Sequence, residues 1–123
     1  MQLPAKRKPI RSGIERAPRR EWSRHRRFVR SHECCVKGKN GHECLGPIQF
    51  AHVRTGTDGG GALKPSDWWA ISLCTSAHVT QHNMGEPAFE KAYGIDMKRL
   101  ALEFARKSTD EAMKAVMREM GLI

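Results

Sequence analysis

Hydrophobic and polar positions along the chain predict two short strands, a long loop between them, and a helix directly after the second strand. Residues 48–54 are β-branched and aromatic enough for the first strand, and residues 68–73 predict the second. The residues between them are rich in glycine and polar side chains, which favours a loop without regular structure. We expect Thr75 or Ser76 to cap the helix that follows, and Gly85 to end it.

Helical patterns flank this central unit on both sides. On the N-terminal side, Trp22, His25 or Arg26, and Val29 recur at helical spacing and predict a short basic helix that begins near residue 21.

Three further positions mark helices on the C-terminal side. Pro87 fits the first turn of a helix that ends at Gly94, and Asp96 caps the next helix. Ser108 and Glu111 form a capping box for the last helix. An apolar stripe on this last helix is expected to belong to the core or to a dimer surface; its members are Ala112, Met113, Val116, Met117 and Met120.

The positive charge of the chain is concentrated at its N-terminal end. Residues 1–30 carry eleven lysines and arginines against two glutamates, a local charge of +9 that equals the net charge of the whole chain. Residues 1–20 also contain three prolines and few large apolar side chains, so we expect a disordered basic arm. Such one-sided charge is typical of nucleic-acid binding, and the arm lacks the broad apolar face that a membrane surface requires. The residues expected to contact nucleic acid are Arg19, Arg20, Arg24, Arg26 and Arg27.

The length of 123 residues suits one domain, which we place at residues 21–123. No apolar stretch approaches the roughly 20 residues that cross a bilayer, and the basic N-terminus lacks the apolar segment of a secretory signal. We therefore expect a cytoplasmic protein with no membrane partner. Its four cysteines should be reduced there, which favours metal binding over disulfides.

The segment LCTSAHVTQH, residues 73–82, combines one cysteine with two histidines four residues apart. Because positions i and i+4 share one face of a helix, His78 and His82 could close on a single cation. Cys74 lies just upstream as a further ligand. The alternative interpretation is a surface helix that carries two histidines and no metal.

A cysteine-rich loop, a strand with His52, a glycine-rich loop, a second strand and the histidine helix follow one another in the order of a ββα-metal unit. The chain resembles the HNH endonucleases, specifically the small prophage-type group labelled DUF968 or related to the RecA-dependent nucleases. The matching segments, which span roughly residues 28–96, are FVRSHECC, AHVRTG, KPSDWWAISLC, AHVTQHNMGE and the Tyr-Gly-Ile of AYGID. The resemblance implies an α+β fold with a ββα-metal (HNH) core at about residues 32–85, made of a two-stranded hairpin and a metal-binding helix. Additional helices in residues 86–123 and the basic N-terminal arm would flank this core.

The resemblance also implies roles in a metal-dependent hydrolysis of DNA. His52 matches the general base, and an imidazole can accept a proton from water near neutral pH; without that context a lone strand histidine is more often structural. His78 and His82 match the ligands of a catalytic cation, for which Mg²⁺, Mn²⁺, Ni²⁺ and Zn²⁺ are candidates. Asp67 is the nearest match to the residue that orients the base, and its alternative role is to cap a turn.

Two basic residues near the base are candidates for contact with a phosphate. Arg54 lies two residues beyond His52 on the same strand face and could bind a phosphate through both guanidinium arms, and Lys64 is a second candidate. Many HNH enzymes carry Asp or His directly before the base, where this chain has Ala51. The cation would therefore have only two protein ligands, completed by water and phosphate.

The cysteines predict a second, structural metal site. Three thiolates are one short of the four ligands of a tetrahedral zinc; they are Cys34, Cys44 and Cys74. His42, Cys35 and His32 are candidates for the fourth ligand, and His42 is favoured because it lies beside Cys44. Relatives carry Cys or His where this chain has Ala77, so loss of the zinc site is the alternative.

Two functions from different classes fit these features. The first is a metal-dependent DNA endonuclease of phage or prophage type, acting in recombination, repair or genome processing. The second is a non-catalytic, zinc-stabilised nucleic-acid-binding module derived from an HNH fold. The retained histidines favour the enzyme and the missing ligand positions favour the module. DNA is the expected partner, a recombinase filament is a further candidate, and a monomer and a homodimer are both open.

Overall fold

The computed structural model describes Pro4, residues 21–59 and residues 63–123. The predicted arm at residues 1–20 lies outside the described residues except for Pro4, as do residues 60–62 of the glycine-rich loop. The described part has an α+β fold with one 3₁₀ turn (Lys39–Gly41). Its elements are α1 (Ser23–Arg30), β1 (Ile48–His52), β2 (Ala70–Cys74), α2 (Thr75–Met84), α3 (Glu86–Tyr93), α4 (Met97–Lys107) and α5 (Glu111–Glu119).

Strands β1 and β2 pair as an antiparallel hairpin, as the sequence predicts. In its register Ile48 lies opposite Cys74, and His52 lies opposite Ala70. Every residue of β2 is buried, including Ser72, whose hydroxyl donates to the carbonyl of Glu33 at 2.7 Å. Helix α2 begins directly after Cys74, so the hairpin and α2 together form a ββα unit.

β1 begins where the sequence predicts but ends two residues early, and β2 begins two residues later and ends one residue later than predicted. β1 ends at His52 because two backbone N–H groups that follow it donate to the carboxylate of Glu86, at 2.7 to 3.1 Å. β2 begins at Ala70 because the N–H of Trp69 closes a turn on the carbonyl of Ser66, at 2.9 Å. In each case a tertiary or turn hydrogen bond replaces the strand pairing that the side chains favour.

The predicted cap of α2 is wrong. The helix is capped by Cys74, whose sulfur accepts a hydrogen bond from the N–H of Ala77 at 3.4 Å. The hydroxyls of Thr75 and Ser76 instead donate to backbone carbonyls of the cysteine-rich loop, at 3.1 and 3.3 Å. These two residues therefore attach the loop to the start of α2.

The predicted capping box of α5 is also wrong. Asp110 caps this helix by accepting a hydrogen bond from the N–H of Met113 at 3.1 Å. Ser108 lies two residues before the cap, and its hydroxyl oxygen accepts a hydrogen bond from the N–H of Asp110 at 3.1 Å and lies 2.8 Å from Nδ1 of the buried His25. Glu111 is the first residue of the helix rather than its third.

The other predicted helix ends are confirmed, and the basic helix α1 is present. Gly85 follows the last residue of α2, and α3 carries Pro87 in its first turn. Gly94 ends α3 in the left-handed conformation with φ of 63°, which glycine adopts without steric cost. Asp96 accepts a hydrogen bond from the N–H of Arg99 at 3.1 Å and so caps α4.

The core lies between β2 and the C-terminal helices, with α4 packed on β2 and α1 and α2 packed on both strands. Its largest fully buried apolar side chains are Trp68, Ile71, Leu73, Phe89, Met97, Met113 and Met117. In the apolar stripe of α5, Met113 and Met117 thus belong to the core, whereas Met120 is 47% exposed. No helix in the described part of the chain is both long and apolar enough to cross a membrane.

Candidate active site and metal centre

A cleft of about 400 Å³ opens where β1 meets α2 and the start of α3. It collects five of the residues that the sequence predicts to act on a phosphodiester: His52, Arg54, Lys64, His78 and His82. Two of these come from β1 and the residues directly after it, and two come from one face of α2. The ββα arrangement therefore brings residues that are distant in the sequence together on one concave surface.

His52 is hydrogen-bonded to the buried carboxylate of Asp67. The imidazole Nε2 lies 3.0 Å from Oδ1 of Asp67, whose side chain is 1% exposed. Burial by itself raises the pKa of Asp67, but hydrogen bonds from His52 and Arg26 lower it to about 2. An ionised carboxylate only accepts hydrogen bonds, so Nε2 carries the proton and Nδ1 carries the lone pair. The predicted orienting partner of His52 is thus in contact with it.

Arg26, which the sequence places among the nucleic-acid contacts, is instead turned toward Asp67. Its Nε donates to Oδ2 at 2.7 Å and its Nη2 donates to Oδ1 at 3.0 Å. Arg24 and Arg27 on the same helix are exposed, as are Arg54 and Lys64 at the cleft. Arg19 and Arg20 lie outside the described residues.

His78 and His82 bring two ring nitrogens together at the mouth of the cleft. Their Nε2 atoms are 3.2 Å apart. Metal–nitrogen bonds of about 2.1 Å place two ligands of one ion roughly 3.0 Å apart at right angles and roughly 3.4 Å apart in a tetrahedron. The spacing therefore suits two ligands of one cation, and it equally suits a ring-to-ring hydrogen bond.

The orientation of His78 is fixed by Gln49, a residue of β1 that the sequence did not single out. Nδ1 of His78 donates to Oε1 of Gln49 at 2.7 Å, which leaves the lone pair on Nε2. Burial, and then the proximity of His82 and His52, lower the pKa of His78. The neutral ring that a metal requires is therefore favoured at neutral pH.

A second centre lies beside the start of α2. Ligand atoms of four residues all lie within 4.8 Å of one another; these residues are Cys34, His42, Cys44 and Cys74. Zinc–sulfur bonds of about 2.3 Å place the ligands of a tetrahedral ion roughly 3.8 Å apart, so the set fits such an ion after small side-chain movements. Among the described residues, no other group of three or more Cys, His, Asp or Glu side chains has such a geometry. These four side chains could hold a metal ion such as zinc, with His42 as the predicted fourth member.

Cys74 joins this centre to the cleft, because it ends β2 and caps the helix that carries the paired histidines. Its sulfur lies 3.3 Å from Nε2 of His42. Burial by itself raises the pKa of the Cys74 thiol, but hydrogen bonds from Ser76 and from the N–H of Ala77 lower it to about 6. The thiolate is the form that binds metal.

The two other candidates for the fourth ligand point elsewhere. Cys35 lies 3.5 Å from the hydroxyl of Ser72, and burial raises the pKa of its thiol. His32 is exposed, and its Nδ1 lies 2.8 Å from the carbonyl oxygen of Phe28. Neither belongs to the four-residue centre.

Sequence reasoning missed three residues that shape the cleft: Gln49, Gln81 and Glu86. Gln81 is 3% exposed and lines the cleft from α2, with its Nε2 3.4 Å from the carbonyl oxygen of His52. Glu86 fixes the backbone after β1. Amide and carboxylate side chains at these positions belong to no local motif, and only the packing of α2 and α3 on β1 reveals them.

His25 is a buried histidine outside the cleft that should make folding sensitive to pH. It is fully buried, and its Nε2 has no hydrogen-bond partner among the described residues. Burial lowers its pKa to about 4, against the raising influence of Asp67 and Asp110. Because the unfolded chain then binds more protons than the folded one, stability falls as the pH drops from about 6.5 toward 4.

We expect the free energy of unfolding to decrease by about 2 kcal/mol more in the wild type than in His25→Phe between pH 7 and pH 5. Urea denaturation at each pH measures this difference, and comparison with the variant separates His25 from His78, which acts in the same direction. The exposed His32→Phe serves as the control. Equal pH dependence of the wild type and His25→Phe would contradict the prediction.

A comparison with known protein families matches most of the chain to one family. The sequence model of a family described as "Protein of unknown function (DUF968)" matches residues 9–114. This range contains the cysteine-rich loop, both strands and α2. No curated protein and no solved structure matches the chain. The family description assigns no chemistry.

Proposed function

The chain belongs to the DUF968 family, and from its cleft we propose that it is a metal-dependent DNA endonuclease of the HNH type. The observation that carries the proposal is one cleft in which His52, held by a buried carboxylate, faces the paired imidazoles of His78 and His82. A base and a cation site next to each other are the parts that hydrolysis of a phosphodiester requires.

His52 is proposed as the general base. With its Nε2 proton directed to Asp67, Nδ1 can take a proton from a water molecule whose oxygen attacks the phosphorus. The new phosphorus–oxygen bond forms as the bond to the leaving oxygen breaks, and the leaving oxygen takes a proton from solvent. Asp67 orients the ring and stabilises the imidazolium that forms.

His78 and His82 are proposed to hold the divalent cation, with Gln49 fixing the tautomer of His78. A cation bound there would stabilise the charge that develops on the phosphate and on the leaving oxygen. Mg²⁺, Mn²⁺, Ni²⁺ and Zn²⁺ all accept imidazole or water ligands at this spacing. Arg54 and Lys64 at the same cleft are proposed to contact the phosphates on either side of the scissile bond.

DNA is the proposed substrate because the charge of the chain suits a polyanion. Residues 1–30 alone carry a charge of +9, which equals the net charge of the whole chain. Within that segment, α1 exposes Arg24, Arg27 and Arg30 to solvent. Contacts of such arginines with phosphates would supply affinity without reading a base sequence.

The order of β1, β2 and α2 supports assignment of the unit to the ββα-metal fold. Zinc is the proposed occupant of the four-residue centre, since three thiolates and one imidazole form a common tetrahedral set. Bound there, it would fix the cysteine-rich loop against the start of α2. The site would then be structural, since all four positions of a tetrahedral ion are taken by protein.

A non-catalytic, zinc-stabilised nucleic-acid-binding module is the second candidate. The observation that favours it is the incomplete cation site, where His78 and His82 are the two protein ligands and Ala51 offers none. The two candidates separate in a cleavage assay, because the module would bind DNA in the presence of any cation and cut it in none.

Replacing His82 with alanine should weaken the catalytic cation without disturbing the fold, because His82 is exposed on α2. We expect the cation concentration for half-maximal plasmid cleavage to rise by at least the roughly 10-fold that loss of an outer-shell ligand partner costs. The cleavage rate should approach that of the wild type at high Mn²⁺. Titration of Mn²⁺ against cleavage of supercoiled plasmid measures this, with His32→Ala as the control. An unchanged half-maximal concentration would exclude His82 as a ligand.

A further inference from the structure

The start of α1 does not line the cleft, but it contacts Asp67, the carboxylate that holds His52. We propose that Arg26 is a positioning residue for His52 and acts through Asp67, so that the basic helix sets the geometry of the catalytic base. This inference rests on the proposed function and names a further residue of the same site. It requires no contact between Arg26 and DNA.

Asp67 receives most of its hydrogen bonds from α1 and the residue before it. Oδ2 accepts from the backbone N–H of Trp22 and from Nε of Arg26, both at 2.7 Å. Oδ1 accepts from Nη2 of Arg26 and from Nε2 of His52, both at 3.0 Å. Both carboxylate oxygens are therefore fixed by Arg26, and one of them is the atom that holds the imidazole.

The two-point contact determines the plane of the Asp67 carboxylate. A guanidinium donates two parallel hydrogen bonds in a fixed fork, whereas a lysine ammonium acts as a point charge. A rotation of the Asp67 carboxylate about its Cβ–Cγ bond would move Oδ1 away from Nε2 of His52. Arg26 thus restricts the motion that would release the base.

A second contact ties the same guanidinium to the base. The guanidinium carbon of Arg26 lies 5.3 Å from the ring centroid of Phe50, and the rings of Phe50 and His52 are nearly perpendicular, with their centroids 5.1 Å apart. Arg26 is therefore coupled to the imidazole through the carboxylate on one side and through Phe50 on the other.

The first test compares Arg26→Met with Arg27→Met, an exposed neighbour on the same helix. We expect Arg26→Met to lower kcat for plasmid cleavage by roughly 10- to 100-fold, the cost of a misplaced catalytic group, with little change in KM. Arg27→Met should raise KM instead. Arg106→Met, at an exposed position of α4 that does not line the cleft, should change neither kcat nor KM. If Arg26→Met alters only KM, Arg26 is a DNA contact and the proposal fails.

A conservative variant tests the two-point contact directly. Arg26→Lys keeps the positive charge but lacks the guanidinium fork, so it should recover little of the lost kcat. Full recovery of kcat in Arg26→Lys would overturn the explanation by geometry.

A measurement without DNA distinguishes this inference from the proposed function. ¹⁵N chemical shifts of the His52 ring report which nitrogen carries the proton. We expect a single tautomer protonated at Nε2 in the wild type and a mixture in Arg26→Met. Wild-type protein that cuts no DNA but shows this change would refute the proposed function and support the positioning role. Wild-type protein that cuts DNA while Arg26→Met keeps both its kcat and its single tautomer would refute the positioning role alone.

Discussion

Replacement of His52 by alanine is expected to reduce the rate of DNA cleavage by about 10²- to 10⁴-fold, the range typical for loss of a general base. DNA affinity should stay nearly unchanged, because phosphate contacts from basic residues supply it. The reason lies in the geometry of the cleft. His52 is the residue whose Nε2 is held by the ionised Asp67, at 3.0 Å, and whose second nitrogen is then able to accept a proton.

Two controls make this experiment specific. His32→Ala removes an exposed histidine that does not line the cleft and should cleave at the wild-type rate. His52→Gln keeps a hydrogen-bonding side chain but cannot take a proton from water, so its rate should be as low as that of His52→Ala. Cleavage by His52→Ala at the wild-type rate, with equal DNA binding, would show that another group activates the water.

Removal of the metal from the cysteine centre is expected to destabilise the whole fold. Residues 36–46 contain three glycines; Val36 at one end is buried in the core, but Leu45 at the other is 60% exposed, so most of this loop has few apolar contacts of its own. A structural zinc can contribute on the order of 10 kcal/mol to folding. Chelation of the zinc should therefore lower Tm by at least about 10 °C, and Cys74→Ser should have a similar effect.

Cys35→Ser provides the matched control, because Cys35 is adjacent to Cys34 in sequence yet contacts Ser72 instead of the centre. It should lower Tm far less than Cys74→Ser. Elemental analysis of protein purified without added metal should find one zinc per chain. Protein that contains no zinc, and whose Cys34, Cys44 and Cys74 react freely with a thiol reagent in the folded state, would show that another interaction holds the loop.

Cleavage should also fall when the cysteine centre is emptied, because Cys74 caps the helix that presents His78 and His82. This loss differs from that caused by His82→Ala, since added Mn²⁺ should not restore it. The two metal sites can thus be told apart by which metal recovers activity.

The parts of the site that sequence could predict are those that depend on spacing within one element. Two histidines four residues apart share a helix face wherever that helix packs, and their Nε2 atoms indeed lie 3.2 Å apart. The antiparallel hairpin followed by α2 likewise comes from local patterns. The four-residue centre is an exception, because residue type and the family resemblance predict it across separate segments: three cysteines lack a fourth ligand, and His42 lies beside Cys44.

The parts that sequence could not predict depend on contacts between distant segments. Arg26 and Asp67 are 41 residues apart, and His25 and Ser108 are 83 residues apart. Periodicity places Arg26 on a basic helix but carries no information about a carboxylate in another loop. The basic charge of the segment predicts that Arg26 contacts DNA, and it gives no sign of the contact that its guanidinium makes with Asp67.

The two wrong helix caps have the same cause. Ser108 has the right residue type for a cap, but the buried His25 takes its hydroxyl, and Asp110 caps α5 instead. Thr75 and Ser76 are equally suitable by type, yet their hydroxyls hold the cysteine-rich loop. Competition from tertiary partners decides between equivalent local candidates, and it has no signature in the local sequence.

The most direct test of the proposed activity is cleavage of supercoiled plasmid by the wild-type chain with Mg²⁺, Mn²⁺, Ni²⁺ or Zn²⁺, against excess EDTA. Protein loaded with zinc and His52→Ala purified in the same way are assayed in parallel, so that a contaminating nuclease is detected. We expect nicked or linear product that requires an added cation and is almost absent with His52→Ala. No product with any of the four cations, although the protein is folded and binds DNA, would contradict the endonuclease assignment and leave the zinc-stabilised binding module.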